Sequence, residues 1–152
     1  MWITPDQGIW IELIEILIES RRGLNIMKIL LVDDSRTIRN IQKNVLAQLG
    51  HTDTIEANDG VEALQLLAQG TPDLVLVDWN MPNMDGITLV RKIRETNKQL
   101  PLVMVTTEAE KSRVLEAIKA GVNNYVVKPF TAETLGEKIT ATLAKATAAA
   151  VA

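Results

Sequence analysis

The sequence has no cysteine and only one histidine, His51, among its 152 residues. The absence of cysteine excludes a disulfide framework, a thiol nucleophile and a cysteine metal site. A single histidine likewise excludes a histidine-rich metal cluster. Basic residues do not predominate either, because 16 Lys and Arg against 19 Asp and Glu give a net charge of −3. That balance argues against general affinity for nucleic acid.

The chain also lacks a long uncharged apolar segment. Its longest apolar stretch, residues 9–18, is interrupted by Glu12 and Glu15, so it is too short and too acidic to cross a membrane. Arg21 and Arg22 follow this stretch instead of preceding it, which is the wrong order for a secretory signal. We therefore expect a cytoplasmic protein that does not associate with membranes.

What remains is an ordinary globular composition, with 47% hydrophobic and 23% charged residues. The length corresponds to one domain that can form a hydrophobic core without disulfides. The sequence divides into an N-terminal extension (residues 1–26), a main domain (27–145) and an Ala-rich tail (146–152).

The extension has its own pattern. Glu12, Glu15 and Glu19 recur at helical spacing, which predicts a helix over residues 9–20 with one acidic face. One interpretation is that the native protein starts at Met27 and the extension has no fixed role. The other is a helix that docks on a partner or on a second copy, because so many exposed apolar side chains favour being covered.

From Met27 onward, strand-like apolar runs alternate with helix-like stretches. The predicted strands are Ile29–Val32, Thr52–Glu56, Leu74–Val77, Leu102–Val105 and Tyr125–Val127; the predicted helices lie near 36–49, 60–69, 86–96, 108–120 and 132–145. Five such units predict an α/β fold, a doubly wound parallel sheet with helices on both faces. Four of the strands are almost entirely apolar, as buried parallel strands are, whereas the more polar Thr52–Glu56 suits an edge.

Signals for helix ends agree with this division. Thr107 and Glu110 have the spacing of a capping box, which predicts that the fourth of these helices begins there. Gly50, Gly70 and Gly121 stand where the first, second and fourth helices should end.

Polar residues collect directly after the predicted strands. In an open α/β sheet, ligands bind outside the carboxyl ends of the strands, so these residues should meet at one edge. They are Asp33, Asp34, Asp78, Thr106, Thr107 and Lys128.

Three crowded carboxylates repel one another and need a cation to remain ionised together. An all-oxygen acidic site suits Mg²⁺, and a lone lysine suits a phosphate oxygen. This set is typical of phosphoryl transfer, in which a carboxylate nucleophile would form an aspartyl phosphate. Neither GxGxxG nor GxxxxGK[ST] occurs, so a nucleotide-binding loop is disfavoured.

Four segments in this order resemble a response-regulator receiver domain over Met27 to about Ala144. They are Val32-Asp33-Asp34-Ser35, the string from Asp78 to Gly86 (DWNMPNMDG), Val105-Thr106-Thr107-Glu108, and the string from Tyr125 to Phe130 (YVVKPF). The second string is similar to that of the chemotaxis members of the family. The extension before Met27 has no counterpart in the family pattern.

The resemblance implies a role for each site residue. Asp78 would be the phosphoacceptor. Mg²⁺ would be bound by Asp34 directly, by Asp33 through water, by Asp78 and by the backbone carbonyl of Asn80. Lys128 would hold one phosphoryl oxygen. Thr106 would hold another.

The resemblance also implies a switch and a fold. Tyr125 would turn inward once Thr106 moves towards the phosphoryl group. The family fold is flavodoxin-like, with strand order 2-1-3-4-5 and five helices, and it has a cis peptide bond before the residue equivalent to Pro129.

The implied function is that of a single-domain response regulator, phosphorylated on Asp78 by a histidine kinase and signalling by phosphorylation-dependent partner binding. We expect a monomer. We also expect no DNA-binding domain, because the sequence ends after the fifth helix of the domain. The chemotaxis resemblance favours the flagellar motor switch as the partner. Its binding face would include Val114, Tyr125, Val127 and Lys138.

Three alternative functions are considered beside this one. A phosphorelay intermediate would pass it on to another histidine protein. A Mg²⁺-dependent phosphatase with an aspartyl nucleophile is disfavoured, because the chain lacks a D-x-D general acid and a cap for a substrate pocket. A docking module without phosphorylation is disfavoured because every expected site residue is present. The protein is therefore expected not to be an enzyme acting on a separate substrate.

Overall fold

The structure, a computed structural model, describes residues 7–24 and 27–151, with side chains described for residues 8–16 and 27–146. Its strands are β1 (Lys28–Val32), β2 (Asp53–Ala57), β3 (Leu74–Val77), β4 (Leu102–Thr106) and β5 (Asn124–Val127). Its helices are α1 (Gln7–Leu24), α2 (Arg36–Gln48), α3 (Gly60–Gln69), α4 (Gly86–Thr96), α5 (Lys111–Ala120) and α6 (Ala132–Val151).

All five strands pair in parallel, in the order β2-β1-β3-β4-β5. Both the predicted α/β class and the strand order are confirmed. The described helices number six instead of five, because α1 precedes the five that belong to the sheet. The polar strand β2 lies at an edge, as its composition predicts, whereas β3 and β4 are buried along their whole length.

Two hydrophobic layers cover the sheet. Alternate residues of each central strand face opposite sides, so Leu30 and Val32 pack with α3, α4 and α5. Ile29 and Leu31 pack with α2 and α6. In α6, Leu135 and Ile139 are fully buried. The site residues are therefore carried by strand ends that are fixed from both faces.

Local side-chain bonds mark the starts of α2, α3 and α4. Ser35 accepts a hydrogen bond from the Ile38 N–H at 3.3 Å, Asp59 from the Glu62 N–H at 2.8 Å, and Asp85 from the Thr88 N–H at 2.9 Å. The predicted helix stops are also confirmed. Gly121 follows α5 with φ +118°, a left-handed conformation that favours glycine.

The predicted capping box at Thr107 and Glu110 is wrong. Helix α5 begins only at Lys111, and its N-cap residue Glu110 makes no side-chain capping bond. The backbone of Glu108 is held by tertiary contacts instead, since its N–H donates to Thr106 Oγ1 at 3.3 Å and its carbonyl accepts from the Tyr125 hydroxyl at 2.6 Å. These bonds keep residues 107–110 out of the helix.

Within the extension, the helix α1 spans Gln7–Leu24 and is longer than the predicted 9–20. Its described apolar side chains are exposed, from 44% for Leu13 to 61% for Ile16. Glu12 and Glu15 are exposed as well, whereas the side chain of Glu19 and residues 1–6 and 25–26 lie outside the described part. In the described part of the chain, no helix has both the length and the apolar character that crossing a membrane requires.

Gly86 brings the start of α4 into contact with the end of β3. Its N–H donates to the Trp79 carbonyl at 2.8 Å, and a Cβ atom at this position would lie 1.9 Å from the Asp78 carbonyl oxygen. No side chain fits there without moving the backbone of Asp78. A glycine is thus required where the two segments approach each other.

We predict that Gly86→Ala lowers the free energy of unfolding by about 1–3 kcal/mol, the usual cost of overpacking. Urea unfolding measures the change. The control is Gly136→Ala in α6, where the nearest atoms to the added Cβ are 3.8 Å away on Leu49. That variant should gain about 0.5–1 kcal/mol, because alanine is better than glycine inside a helix. Equal stability of Gly86→Ala and the wild type would contradict the prediction.

Candidate phosphoryl-transfer site

The residues predicted to meet at the carboxyl edge of the sheet do so. Asp33 follows β1, Asp78 follows β3 and Lys128 follows β5, while Thr106 is the last residue of β4. Because the strands are parallel and in register, their ends lie at the same edge. Thr107 is also at this edge, but it is exposed.

Three carboxylates form the centre of the site. One oxygen from each of Asp33, Asp34 and Asp78 lies within 4.8 Å of the others. Asp33 is 1% exposed and Asp78 is 7% exposed, whereas Asp34 is open to solvent. Backbone N–H groups orient the two buried ones, since Ser35 donates to Asp33 Oδ1 and Trp79 donates to Asp78 Oδ1, both at 2.8 Å.

Lys128 supplies the positive charge that the buried carboxylates need. Its Nζ lies 2.7 Å from Asp33 Oδ2 and 3.5 Å from Asp78 Oδ2. The peptide bond from Lys128 to Pro129 is cis, as the family resemblance implies. The shorter contact makes Asp33 the main partner of the ammonium, which leaves Asp78 less completely neutralised.

Burial raises the pKa of Asp78 above its usual value, and the nearby Asp33 charge raises it further. Lys128 and the Trp79 N–H act in the opposite direction without cancelling the effect of burial. A buried, incompletely paired carboxylate is a candidate for reaction chemistry. Among the three acids, Asp78 has the surroundings expected of a nucleophile.

The oxygen ligands fit a hard divalent cation. Mg²⁺ is bound in proteins by one or two carboxylates together with waters and phosphate oxygens. Asp34 is exposed and can exchange water, while Asp33 and Asp78 supply buried oxygens beside it. The three carboxylates therefore suit the Mg²⁺ that the sequence predicts.

Glu108 connects this site to the surface around Tyr125. Its carboxylate accepts from Asn80 Nδ2 at 3.2 Å, its N–H donates to the buried Thr106 hydroxyl oxygen, and its carbonyl accepts from the Tyr125 hydroxyl. The bond to Thr106 uses an oxygen lone pair and not the hydroxyl proton. Thr106 can therefore donate to a further acceptor while this loop keeps its conformation.

Tyr125 is half-buried and packs against the hydrophobic layer formed with α3, α4 and α5. Burial, with a smaller contribution from the Glu108 charge, raises the pKa of Tyr125 to about 12. Its packing and the bond from its hydroxyl to the Glu108 carbonyl direct the side chain inward. That Tyr125 turns inward once Thr106 moves towards a phosphoryl group stays a prediction.

Trp79 is only 4% exposed, and the Arg113 guanidinium lies 5.3 Å from the centre of its ring. This is a cation–π contact between the residue after Asp78 and the first turns of α5. The sequence analysis did not predict the contact between Trp79 and Arg113. No local pattern signals a contact between residues so far apart in the chain.

Two further contacts near the site were also missed. Asn83, whose φ is +68°, donates to the α3 N-cap residue Asp59 at 2.7 Å and so ties down the loop after β3. Arg39 is buried on α2 and donates to the Asp33 carbonyl. The sequence did contain a signal for the second contact. Arg39 lies at helical spacing from Val45 and Leu46, so it falls on the buried face of α2.

The comparisons with known proteins agree with the geometry. The family model described as "Response regulator receiver domain" matches residues 29–140. The chemotaxis protein CheY of Pseudomonas aeruginosa is 56% identical over 115 residues, which cover 74% of this chain and 93% of that protein. A chemotaxis protein CheY homolog of Campylobacter jejuni is 54% identical over 116 residues, covering 74% and 89% respectively.

Similar solved structures include chemotaxis protein CheY4 of Vibrio cholerae, with a TM-score of 0.72 and 34% identity. The alignment covers 77% of this chain and 98% of that one. The receiver domain of the Francisella response regulator 1452 also has a TM-score of 0.72, at 30% identity, and the alignment covers 78% and 98% of the two chains.

We predict that Asp78→Asn makes the protein more stable at pH 7, by about 1 kcal/mol, the size of a typical single-site effect. The folded-state pKa of Asp78 is raised, so keeping the carboxylate ionised costs stability at neutral pH. This cost disappears as the pH falls through that pKa, because the folded protein then takes up the proton. The advantage of Asn should therefore shrink towards pH 4.

Urea unfolding in EDTA between pH 4 and 8 measures this dependence. Asp53→Asn is the control, because it removes an exposed carboxylate at the opposite end of the sheet. A stability advantage of Asp78→Asn that is the same at every pH would contradict the interpretation.

Proposed function

Because the chain belongs to the response-regulator receiver family, we propose that it is a phosphoacceptor switch of a two-component system, with Asp78 as the phosphorylated residue. The observation that carries the proposal is the geometry around Asp78. Its buried carboxylate lies 3.5 Å from the Lys128 ammonium and shares an oxygen cluster with Asp33 and Asp34. The donor would be a phosphohistidine presented by a histidine kinase.

In the transfer, an Asp78 carboxylate oxygen attacks phosphorus while the P–N bond to the histidine breaks. The bonding pair returns to the imidazole nitrogen, and a new P–O bond gives an aspartyl phosphate. Mg²⁺, held by Asp33, Asp34, Asp78 and the Asn80 carbonyl, would neutralise charge on the phosphoryl oxygens when bound.

Lys128 has two tasks in this proposal. Before transfer its ammonium pairs with Asp33 and Asp78 and offsets part of the burial that raises the pKa of Asp78. After transfer it lies where it can pair with a phosphoryl oxygen as a point charge. The side chain can do both because its terminal NH₃⁺ carries three donor hydrogens.

We further propose that the switch serves chemotaxis and that output comes from binding a partner, the flagellar motor switch. The relatives that carry the name CheY cover most of their own length in the alignment, which supports this assignment. The expected binding face comprises parts of α5, β5 and α6. Val127 and Lys138 are exposed on it, and Val114 and Tyr125 are half-buried.

The signal reaches that face through Thr106 and Glu108. A phosphoryl group on Asp78 would accept a hydrogen bond from the Thr106 hydroxyl, whose oxygen already accepts one from the Glu108 N–H. Since the Glu108 carbonyl holds Tyr125, the added bond would stabilise the inward position of the tyrosine. Phosphorylation then shifts a population instead of creating a new conformation.

The central prediction is that acetyl phosphate with Mg²⁺ labels the wild-type protein and that Asp78→Asn abolishes labelling. The substitution removes the attacking oxygen at almost constant shape. Intact-mass analysis measures the added phosphoryl group, and EDTA should prevent it. Asp53→Asn is the matched control and should be labelled normally. Equal labelling of Asp78→Asn would place the phosphoacceptor elsewhere.

We predict a short phosphoryl lifetime, of about a minute or less. Asn80 and Glu108 should flank the path of the attacking water, and each change of 1.4 kcal/mol in that barrier alters the rate about tenfold. Loss of the phosphorylated mass after donor removal gives the rate. A phosphoryl group that persists for hours would favour a phosphorelay intermediate over a rapidly resetting chemotaxis switch.

We predict that Thr106→Ala still accepts phosphate on Asp78 but loses most of the gain in partner affinity. Allosteric couplings are typically about 1–3 kcal/mol, so phosphorylation of the wild type should raise affinity about 5- to 150-fold. Fluorescence anisotropy with a labelled motor-switch peptide, with and without a stable phosphoryl mimic, measures the gain.

Thr107→Ala is the control for this experiment, because Thr107 is exposed and caps no helix. A full gain in Thr106→Ala would contradict the proposed route. So would an equal population of inward Tyr125 in the free and phosphorylated wild type, measured by NMR of the ring.

A further inference from the structure

Arg39 is a buried cation outside the set of residues that the proposed reaction uses. It lies on α2 and is 7% exposed. Its Nη1 donates to the main-chain carbonyl of Asp33, and its Nε donates to Glu56 Oε1 on the edge strand β2 at 2.9 Å. Burying a guanidinium is costly unless its charge is paired. The carboxylate of Glu56 supplies that pairing.

Glu56 is itself well fixed. Lys43, one turn further along α2, donates to its second oxygen at 3.1 Å. The hydrogen bond from Arg39 holds the pKa of Glu56 below its usual value, with a smaller contribution from Lys43, although partial burial opposes them. Glu56 therefore stays ionised and anchors the guanidinium in one orientation.

The bond to the Asp33 carbonyl acts on the metal-binding loop. The Asp33 carbonyl and the Asp34 N–H belong to one rigid peptide plane, so fixing the carbonyl fixes the direction in which the chain enters Asp34. The Asp33 side chain is already held by the Ser35 N–H and by Lys128. Arg39 thus restrains the peptide bond that joins the buried Asp33 to the exposed Asp34.

We propose that Arg39 is a positioning residue for the metal site, acting by holding the Asp33–Asp34 peptide so that the Asp34 carboxylate faces Asp33 and Asp78 before the ion binds. The inference rests on the proposed function, since the ion serves phosphoryl transfer to Asp78. Restraining the loop in advance reduces the ordering cost that binding would otherwise incur. Residues behind metal ligands typically change metal affinity by 10- to 100-fold.

The test compares Arg39→Met with Lys43→Met. Both variants remove one cation that pairs with Glu56 and keep an unbranched apolar side chain, but only Arg39 contacts the Asp33 carbonyl. Mg²⁺ affinity of the unphosphorylated protein is measured by titration of backbone amide shifts around Asp34. Urea unfolding in EDTA measures the stability of each variant independently of the metal.

We expect Arg39→Met to bind Mg²⁺ about tenfold more weakly, and Lys43→Met to remain within about twofold of the wild type, since partly exposed ion pairs contribute little. With acetyl phosphate, the Mg²⁺ concentration for half-maximal labelling of Asp78 should rise by the same factor in Arg39→Met. The labelling rate at saturating Mg²⁺ should approach that of the wild type. A residue that only ties α2 to β2 would change urea stability without changing either Mg²⁺ measurement.

If the wild type binds Mg²⁺ and Arg39→Met binds it with the same affinity, this inference is overturned. The proposed function then stays intact. A wild type that binds no Mg²⁺ overturns both. If Arg39→Met does not fold, Glu56→Gln decides, because it keeps Arg39 and removes its charged anchor. Weaker Mg²⁺ binding by Glu56→Gln than by Lys43→Met supports the inference, and equal binding overturns it.

Discussion

The pairing of the Lys128 ammonium with Asp33 and Asp78 is the interaction on which the site depends. Two carboxylates at the ends of neighbouring buried strands cannot both remain charged without a cation between them. Lys128 reaches them from the end of β5, at the far edge of the sheet, with contacts of 2.7 and 3.5 Å. The unequal distances leave Asp78 partly uncompensated, which is why burial still raises its pKa.

The backbone around the site allows this arrangement of charges. Gly86 lets α4 start directly against the end of β3, where a Cβ atom would lie 1.9 Å from the Asp78 carbonyl. Asn83 ties the intervening loop to the N-cap residue of α3. Arg39 ties the other acidic loop to the edge strand through Glu56. Each loop that carries a carboxylate is therefore restrained by a contact with a different element.

Glu108 gives the site a connection to the surface. Its carboxylate, N–H and carbonyl contact Asn80, Thr106 and Tyr125 respectively. In the proposed switch, a change in charge on Asp78 that alters the bonding of Thr106 would reach Tyr125 through Glu108 alone. The bonds to Thr106 and Tyr125 also delay the start of α5 until Lys111, so this helix start is set by tertiary contacts and not by local capping.

The sequence by itself determined the layered α/β architecture, the edge position of β2 and the set of residues at the carboxyl edge. These follow from local patterns: apolar runs of strand length, helical periodicity, glycine at helix ends, and polar residues directly after strands. Parallel strand ends must share an edge, so Asp33, Asp78, Thr106 and Lys128 could be placed together without coordinates.

Only the tertiary structure decided the contacts between distant segments. The capping-box pattern at Thr107 was overridden because Tyr125 and Thr106 hold the backbone of Glu108. The inward position of Tyr125, the stacking of Arg113 on Trp79 and the bond from Arg39 to Asp33 also join residues from different elements. Periodicity shows which face of a helix is buried, but it does not show which polar atom on another element that face meets. That depends on how the helices pack against the sheet.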